Sequence, residues 1–531
     1  MLQGSALAQR KVPEASRRLL HVLVWFIIAS ALFYAGRELV RDLSAVRSSS
    51  SPSDYLLLGI ALLIALGFEF VNGFHDAANA VATVIYTNAL PPLAAVVWSG
   101  IWNFIGVLVS SGAVAYSVVS LLPVELILQV GSAAGFAMVF ALLFSAMTWN
   151  VGTWFLGLPI SSSHTLIGSI IGVGLMNQLM EGTTYTTGVD WSQAAKVGYA
   201  LLLSPLIGFV AAALLLLCVK AALRKSAPHQ PPREHQPPPF WIRMVLILTC
   251  TGVSFGHGSN DGQKGMGLIM LILVGLFPAA YALDRHSPAA RVQALVAASD
   301  QVTGVFAAYE KSPPFFSLDE ARKEVLNFLE TQSFRPKTIP AISALMRGIV
   351  NAVAPHGSYA DVPNEMASQI RNDMDLVDEA LDVLEKSGRV PIGIDQEIVI
   401  EFYRKELDRA TMFIPVWVKV VTAFALGLGT MVGWRRIVVT VGEKIGKAHL
   451  TYAQGGTAET VTMSTLIAAD LYGLPVSTTH VLSSAVAGTM VANGSGLQIT
   501  TVRNILLAWV LTLPVSLANA GGLYWLMRQV V

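Results

Sequence analysis

An aspartate set among small and amide residues occurs twice in this chain, in GFEFVNGFHDAANAV (67–81) and GVSFGHGSNDGQKGM (252–266). Gly-Leu-Pro followed by hydroxyls and a histidine also occurs twice, in GLPISSSHT (157–165) and GLPVSTTHV (473–481). All four segments lie inside apolar sequence. Polar groups at membrane depth are costly and mark a path or a site. Having each motif twice suggests a transporter made of two repeats, with its site at their interface.

Proline breaks an entering helix but suits the first residue of a new one. The hydroxyls that follow then sit in a first helical turn, beside unsatisfied N–H groups and the positive end of the helix dipole. Ser161, Ser162 and Ser163 in one copy, with Ser477, Thr478 and Thr479 in the other, could enclose a tetrahedral oxyanion. Neutral donors of this kind release an anion more readily than a ring of arginines. The plainer reading is helix capping and bonding to backbone carbonyls, and two copies at matched spacing favour the anion site over it. His164 and His480 come next, and could relay a proton, bond the anion or hold the broken helix.

Asp76 is flanked by Asn72, Gly73, His75 and Asn79, and Asp261 by His257, Gly258, Asn260 and Gly262. Glycines let a helix unwind, and freed carbonyls with a carboxylate and a carboxamide would make oxygen ligands for a cation. Alternatively the carboxylate takes up a proton, because burial disfavours its charged form. Lys264 stands where the first copy has Asn79; it could pair with a carboxylate, replace a cation or snorkel. Glu69 lies in the apolar run before Asp76 and ranks below the two aspartates as part of an ion path. An intramembrane hydrolase is the remote alternative, since Ser, His and Asp recur. Ser163 and His164 are adjacent, however, and point about 100° apart on a helix, so nucleophile and base do not meet. A carrier and not an enzyme is expected.

The elements that must position these residues are membrane helices. The chain has 531 residues, 53% hydrophobic and 13% charged, against roughly 25% charged in soluble domains. Apolar runs long enough to span occur at about 19–36, 55–74, 92–121, 134–156, 160–180, 194–222, 241–258, 264–283, 412–433, 457–472, 476–492 and 502–527. The motifs interrupt several of them, which predicts full crossings, broken helices or re-entrant hairpins. The net charge of +1 gives no indication of a nucleic-acid partner. Cys218 and Cys250 sit in apolar runs without disulfide or metal-site spacing.

Charge is concentrated in one place. Residues 284–410 hold 20 Asp/Glu and 14 Lys/Arg, 34 of the chain's 69 formal charges. This predicts a small helical soluble insert, with an amphipathic pattern at Leu376, Val377, Ala380, Leu381, Val383 and Leu384. Asp76 precedes Pro159 by 83 residues and Asp261 precedes Pro475 by 214; the difference of 131 nearly equals the 127-residue insert. The expected domains are 1–54 with an extra apolar helix, repeat one at 55–222, a Pro-rich basic linker at 223–240, repeat two at 241–283 and 411–531, and the insert at 284–410. The apolar stretch 19–36 could be a signal peptide ending near Ala29-Ser30-Ala31; the long basic lead before it favours an uncleaved helix. The linker, with Arg224, Lys225 and Arg233, and the loop with Arg435, Arg436, Lys444 and Lys447 read as cytoplasmic. The fold class is all-α and polytopic, with two repeats, inverted by expectation.

On these four motifs, and on GTMVGWRRIVVTVGEKIGK, TYAQG, LAWVLTLP and GGLYWL, the chain from about 55 to 527 resembles the inorganic phosphate transporter (Pit) family, in its bacterial low-affinity branch. The resemblance implies secondary active phosphate uptake across a bacterial inner membrane by alternating access. It assigns Asp76, Asn260 and Asp261, with Asn79, to coupling cations or protons and the two hydroxyl clusters to phosphate. His75 and Lys264 depart from the Asn-rich pattern of sodium-coupled members. The resemblance to this branch implies proton coupling and the ability to carry phosphate as a neutral complex with a divalent metal such as Mg, Ca or Zn, the metal being substrate and not a cofactor. Sodium coupling, or sulfate or arsenate as cargo, are the alternatives. Expected partners are phosphate, protons and lipid, and a homodimer with the insert at its interface is open.

Overall fold

The computed structural model describes residues 14–45, 52–76, 78–122, 133–181, 189–223, 227–232, 236–307, 309, 317–388 and 393–530. Basic residues Arg10 and Lys11 and the linker's Arg224, Lys225 and Arg233 lie outside them. Among the described residues the structure is helical, with one isolated bridge between Gly446 and Leu497. The helices before the insert are α1 (Glu14–Ala45), α2 (Pro52–Asp76), α3 (Ala78–Tyr86), α4 (Pro92–Val109), α5 (Ala113–Val119), α6 (Ala133–Leu156), α7 (Ser162–Glu181), α8 (Trp191–Ala222) and α9 (Phe240–Leu276). The insert holds α10 (Ala290–Ala307), α11 (Leu318–Thr331), α12 (Thr338–Val353), α13 (Asn364–Ser387) and α14 (Ile394–Thr411). After it come α15 (Val416–Met431), α16 (Arg435–Glu443), α17 (Tyr452–Leu471), α18 (Thr478–Asn493) and α19 (Ile499–Val530).

Seven helices among the described residues are long and apolar enough to cross a membrane. One of them, 338–356, belongs to the insert: Ile339, Ile342, Leu345, Met346 and Ile349 of α12 are buried in the insert's own core. That core also takes Val377, Ala380, Leu381 and Leu384 of α13. The insert's neck is tied: Arg371 Nη1 donates to the carbonyls of Ala282 (3.1 Å) and Thr411 (2.7 Å), and Asp284 N donates to Ala410 O (2.9 Å). The chain then turns by 74° into α15. Asp42 of α1 accepts from Tyr281 Oη (2.9 Å) and Trp417 Nε1 (3.1 Å), so the extra helix is fastened beside both ends of the neck.

Two expected spans are one. In place of separate runs at 241–258 and 264–283, α9 is an unbroken helix of 37 residues with Asp261 near its centre. The glycines around Asp261 do not unwind the chain; they permit close packing. A Cβ at Gly258 would strike the Asn103 carbonyl of α4, and one at Gly106 would strike the Phe255 carbonyl of α9. The expected run 92–121 is instead divided, because Gly112 takes a left-handed φ of 94° between α4 and α5.

The main-body packing follows a cross-paired scheme. Helix α4 packs on α9 while α2 packs on α15, and α7 packs on α19 while α18 packs on α8. The close glycine approaches repeat as well: Gly73 meets the Leu426 carbonyl and Gly429 the Phe70 carbonyl. Gly73 and Gly258 each stand three residues before their aspartate, and Phe70 and Phe255 each stand six before.

Candidate functional site

Both Gly-Leu-Pro segments form extended crossovers between helices. Gly157 (φ 69°) and Gly473 (φ 63°) take the left-handed turn that ends α6 and α17, which favours glycine. The proline was expected as the first helical residue. In the structure the next helix starts three residues later, at Ser162 and at Thr478. Ser161 Oγ accepts from His164 N (3.0 Å) and Ser477 Oγ accepts from His480 N (3.2 Å), so each is an N-cap. Trp509 Nε1 donates to Pro159 O (2.9 Å). Asn260 brackets Pro475, its Nδ2 donating to Leu474 O (3.0 Å) and its Oδ1 accepting from Val476 N (3.3 Å).

The remaining hydroxyls meet the charged residues. Ser162 Oγ donates to Asp76 Oδ2 (2.6 Å), and Thr479 Oγ1 donates to Asp76 Oδ1. The Asp76 carboxylate is thus gripped by one hydroxyl from each Gly-Leu-Pro helix. Lys264 Nζ donates to Asp261 Oδ1 (2.7 Å), Ser163 Oγ (2.5 Å) and Val476 O (3.2 Å). An ammonium has three donors, so Lys264 is saturated. Ser163 in turn donates to Val476 O (2.9 Å). Thr478 Oγ1 is buried without a hydrogen-bond partner among the described residues. Asp76, Asp261 and Lys264 are at most 3% exposed.

His257 links the two aspartates, a role that sequence reading did not give it. Its Nδ1 lies 2.6 Å from Asn103 Oδ1, which can only accept, so the proton is on Nδ1. Nε2 is left facing Asp261 Oδ2 at 3.6 Å and Asp76 Oδ2 at 4.0 Å. One donor atom from each of Asp76, His257 and Asp261 lies within 4.8 Å of the others, a set able to hold a cation. An amide that orients the far nitrogen of such a histidine is a common outer-shell arrangement. His75 Nδ1 is 3.6 Å from Asp76 Oδ1, and its Nε2 is 3.4 Å from Thr153 Oγ1. The His164 and His480 rings meet at 4.5 Å between centroids, tilted by 41°, and His480 stacks on the Trp509 ring at 3.9 Å. The side chain of Asn79 lies outside the described residues.

Further buried groups surround this centre. Glu459 of α17 is fully buried and accepts from Thr249 Oγ1. Asp470 accepts from Ser259 Oγ (2.7 Å) and Gln263 Nε2 (2.5 Å). Glu459 was visible as a lone carboxylate inside an apolar run; His257 and Asn103 carried no signal beyond nearness to a motif. Glu69 is fully buried against α9, where a Cβ on Gly265 would overlap its carboxylate.

The sequence profile of the phosphate transporter family matches residues 72–520. The low-affinity inorganic phosphate transporter PitA of Escherichia coli (strain K12) is 41% identical over 492 residues, covering 89% of this chain and 97% of that protein. The low-affinity inorganic phosphate transporter of Buchnera aphidicola subsp. Acyrthosiphon pisum (strain APS) is 38% identical, covering 90% and 98%. Among solved structures, one described as the sodium-dependent phosphate transporter aligns over 90% of this chain and 100% of that one, with a TM-score of 0.49 and 19% identity. With the family profile covering residues 72–520 of the 531, this multi-pass membrane protein belongs to the phosphate transporter family.

Proposed function

We propose that the protein imports inorganic phosphate across a bacterial inner membrane by symport with protons, with a divalent metal accompanying the anion, by alternating access of two repeats. The observation that carries this reading is the convergence of Ser162 and Thr479 on Asp76. The hydroxyls that would bind phosphate now hold a carboxylate, so anion entry and the state of Asp76 are linked through shared donors.

Charge balance supports co-transport. Two aspartates face one lysine at the centre, and adding a phosphate dianion to a buried, net negative site is unfavourable without compensation. A metal–phosphate complex supplies two positive charges, and the Asp76–His257–Asp261 set offers carboxylate and imidazole ligands for its metal. Protons supply the rest. The cross-paired helices and matched glycine approaches support reading residues 55–222 as one repeat and 241–283 with 411–531 as the other. In this reading residues 284–410 are an accessory domain.

The test is radiolabelled phosphate uptake into proteoliposomes under an imposed pH gradient, with and without sodium and magnesium. Uptake that follows the pH gradient and ignores sodium is expected, with a further gain from magnesium. Uptake that requires sodium would overturn proton coupling.

A further inference from the structure

We propose that Glu69 is the residue that carries the co-transported proton, an assignment that rests on the proton-symport reading above. Three carboxylates lie at the centre, and their surroundings differ in kind. Asp76 has hydroxyl donors from Ser162 and Thr479. Asp261 has the Lys264 ammonium at 2.7 Å. Both environments stabilise an anion. Glu69 has neither hydroxyl nor ammonium at hydrogen-bond distance: it is 0% exposed, and its nearest donors, the Asn72 side chain and the Gly265 backbone, do not reach normal hydrogen-bond geometry.

In this arrangement the neighbours of Glu69 do not neutralise it. On α9 these are Asp261, Lys264 and His257; Asp261 repels a glutamate anion, and Lys264 attracts it but has committed all three N–H donors elsewhere. His257 faces the aspartates. On α2 itself His75 lies beside Asp76. Helix α6 has no titratable side chain, and the Asn72 amide on α2 is a neutral donor that lowers the cost of the anion without cancelling its charge. On α15 the one charged group, Lys419, donates to Ser110 O at 2.8 Å. An isolated buried carboxylate neutralises itself by taking a proton.

Glu69 also breaks the twofold pattern. Seven residues before Asp261 the second half has Ser254, and three residues after Asp76 the first half has Asn79 in place of a lysine. The two charges without a counterpart, Glu69 and Lys264, are therefore close neighbours across the α2–α9 contact. This gives a coupling step. When Glu69–COOH releases its proton to water on the receiving side, the carboxylate left behind can be neutralised only by Lys264. Drawing that ammonium over removes it from Asp261, Ser163 and Val476, all at the phosphate site. Protonation of Glu69 on the opposite side returns Lys264.

The experiment compares wild type with Glu69→Gln and Glu69→Asp in proteoliposomes at clamped membrane potential. It reads phosphate accumulation under a one-unit pH gradient and phosphate–phosphate exchange without a gradient. With one proton per phosphate, a one-unit gradient drives roughly tenfold accumulation, since each pH unit is a factor of ten in proton activity. Glu69→Gln imitates the protonated acid, so accumulation should fall to equilibration while exchange, which never requires deprotonation, persists. Glu69→Asp should keep part of the accumulation. Difference infrared spectra should show a buried carboxylic-acid carbonyl band in wild type that Glu69→Gln lacks. Full accumulation by Glu69→Gln, loss of exchange together with accumulation, or an unchanged infrared band would each overturn the assignment. A wild type that ignores the pH gradient would overturn the proton-symport reading itself, a result independent of the variants.

Discussion

Replacing Lys264 by methionine removes the single ammonium between Asp261 and the second Gly-Leu-Pro loop. The Nζ–Oδ1 distance is 2.7 Å and both side chains are 1% exposed. At an effective dielectric of ~20, that separation corresponds to an attraction of about 6 kcal/mol. Desolvation offsets much of it in the intact pair, but breaking a buried pair from one side costs about 3–5 kcal/mol because a bare charge remains. Lys264→Met should therefore lower the apparent unfolding midpoint of detergent-solubilised protein markedly at pH 7. Lys264→Met with Asp261→Asn removes both charges and should recover most of the loss, although not transport. Equal midpoints for wild type and Lys264→Met, or no recovery in the double variant, would refute the ion pair as the element that holds this centre together.

Ser162→Ala and Thr479→Val each remove a hydrogen bond to a charged group, worth about 1.5–3 kcal/mol, so phosphate affinity by calorimetry should weaken at least roughly tenfold in each, with Thr479→Ser near wild type. In the insert, burial first and then repulsion from Asp378 and Asp375 push the Asp408 carboxyl up to about 7. A raised folded value means that its contribution to insert stability is complete below about pH 4, the unfolded range, and is lost as pH rises through about 7. Hydrogen exchange in the full-length protein should then show α13 and α14 less protected at pH 8 than in Asp408→Asn at the same pH, with little difference near pH 5.

Much of the architecture was legible because lipid imposes a simple code. Apolar length marks α6, α8 and α19, concentrated charge marks the insert, and motif spacing marks the duplicated halves as a hypothesis. Helix continuity was less legible. Gly258 and Gly262 read as unwinding signals, yet in α9 they are contact points for Asn103 and Val107 of α4, and only the partner helix decides which role a glycine takes. The same holds for the hydroxyls. Six of them read alike in sequence, but Ser161 and Ser477 cap helices while Ser162 and Thr479 reach Asp76.

By itself the sequence determined the residue types available to the site: paired aspartates, paired hydroxyl clusters, one lysine, and the glutamates Glu69 and Glu459 in apolar surroundings. Those follow from composition and local spacing. Which carboxylate receives donors, which receives the ammonium and which receives neither was decided only by tertiary structure. Asp76 and Thr479 are 403 residues apart in sequence, and Glu69 meets Gly265 only because α2 lies against α9. A side chain's charge state is set by what packs around it, and that packing is a property of the assembled helices.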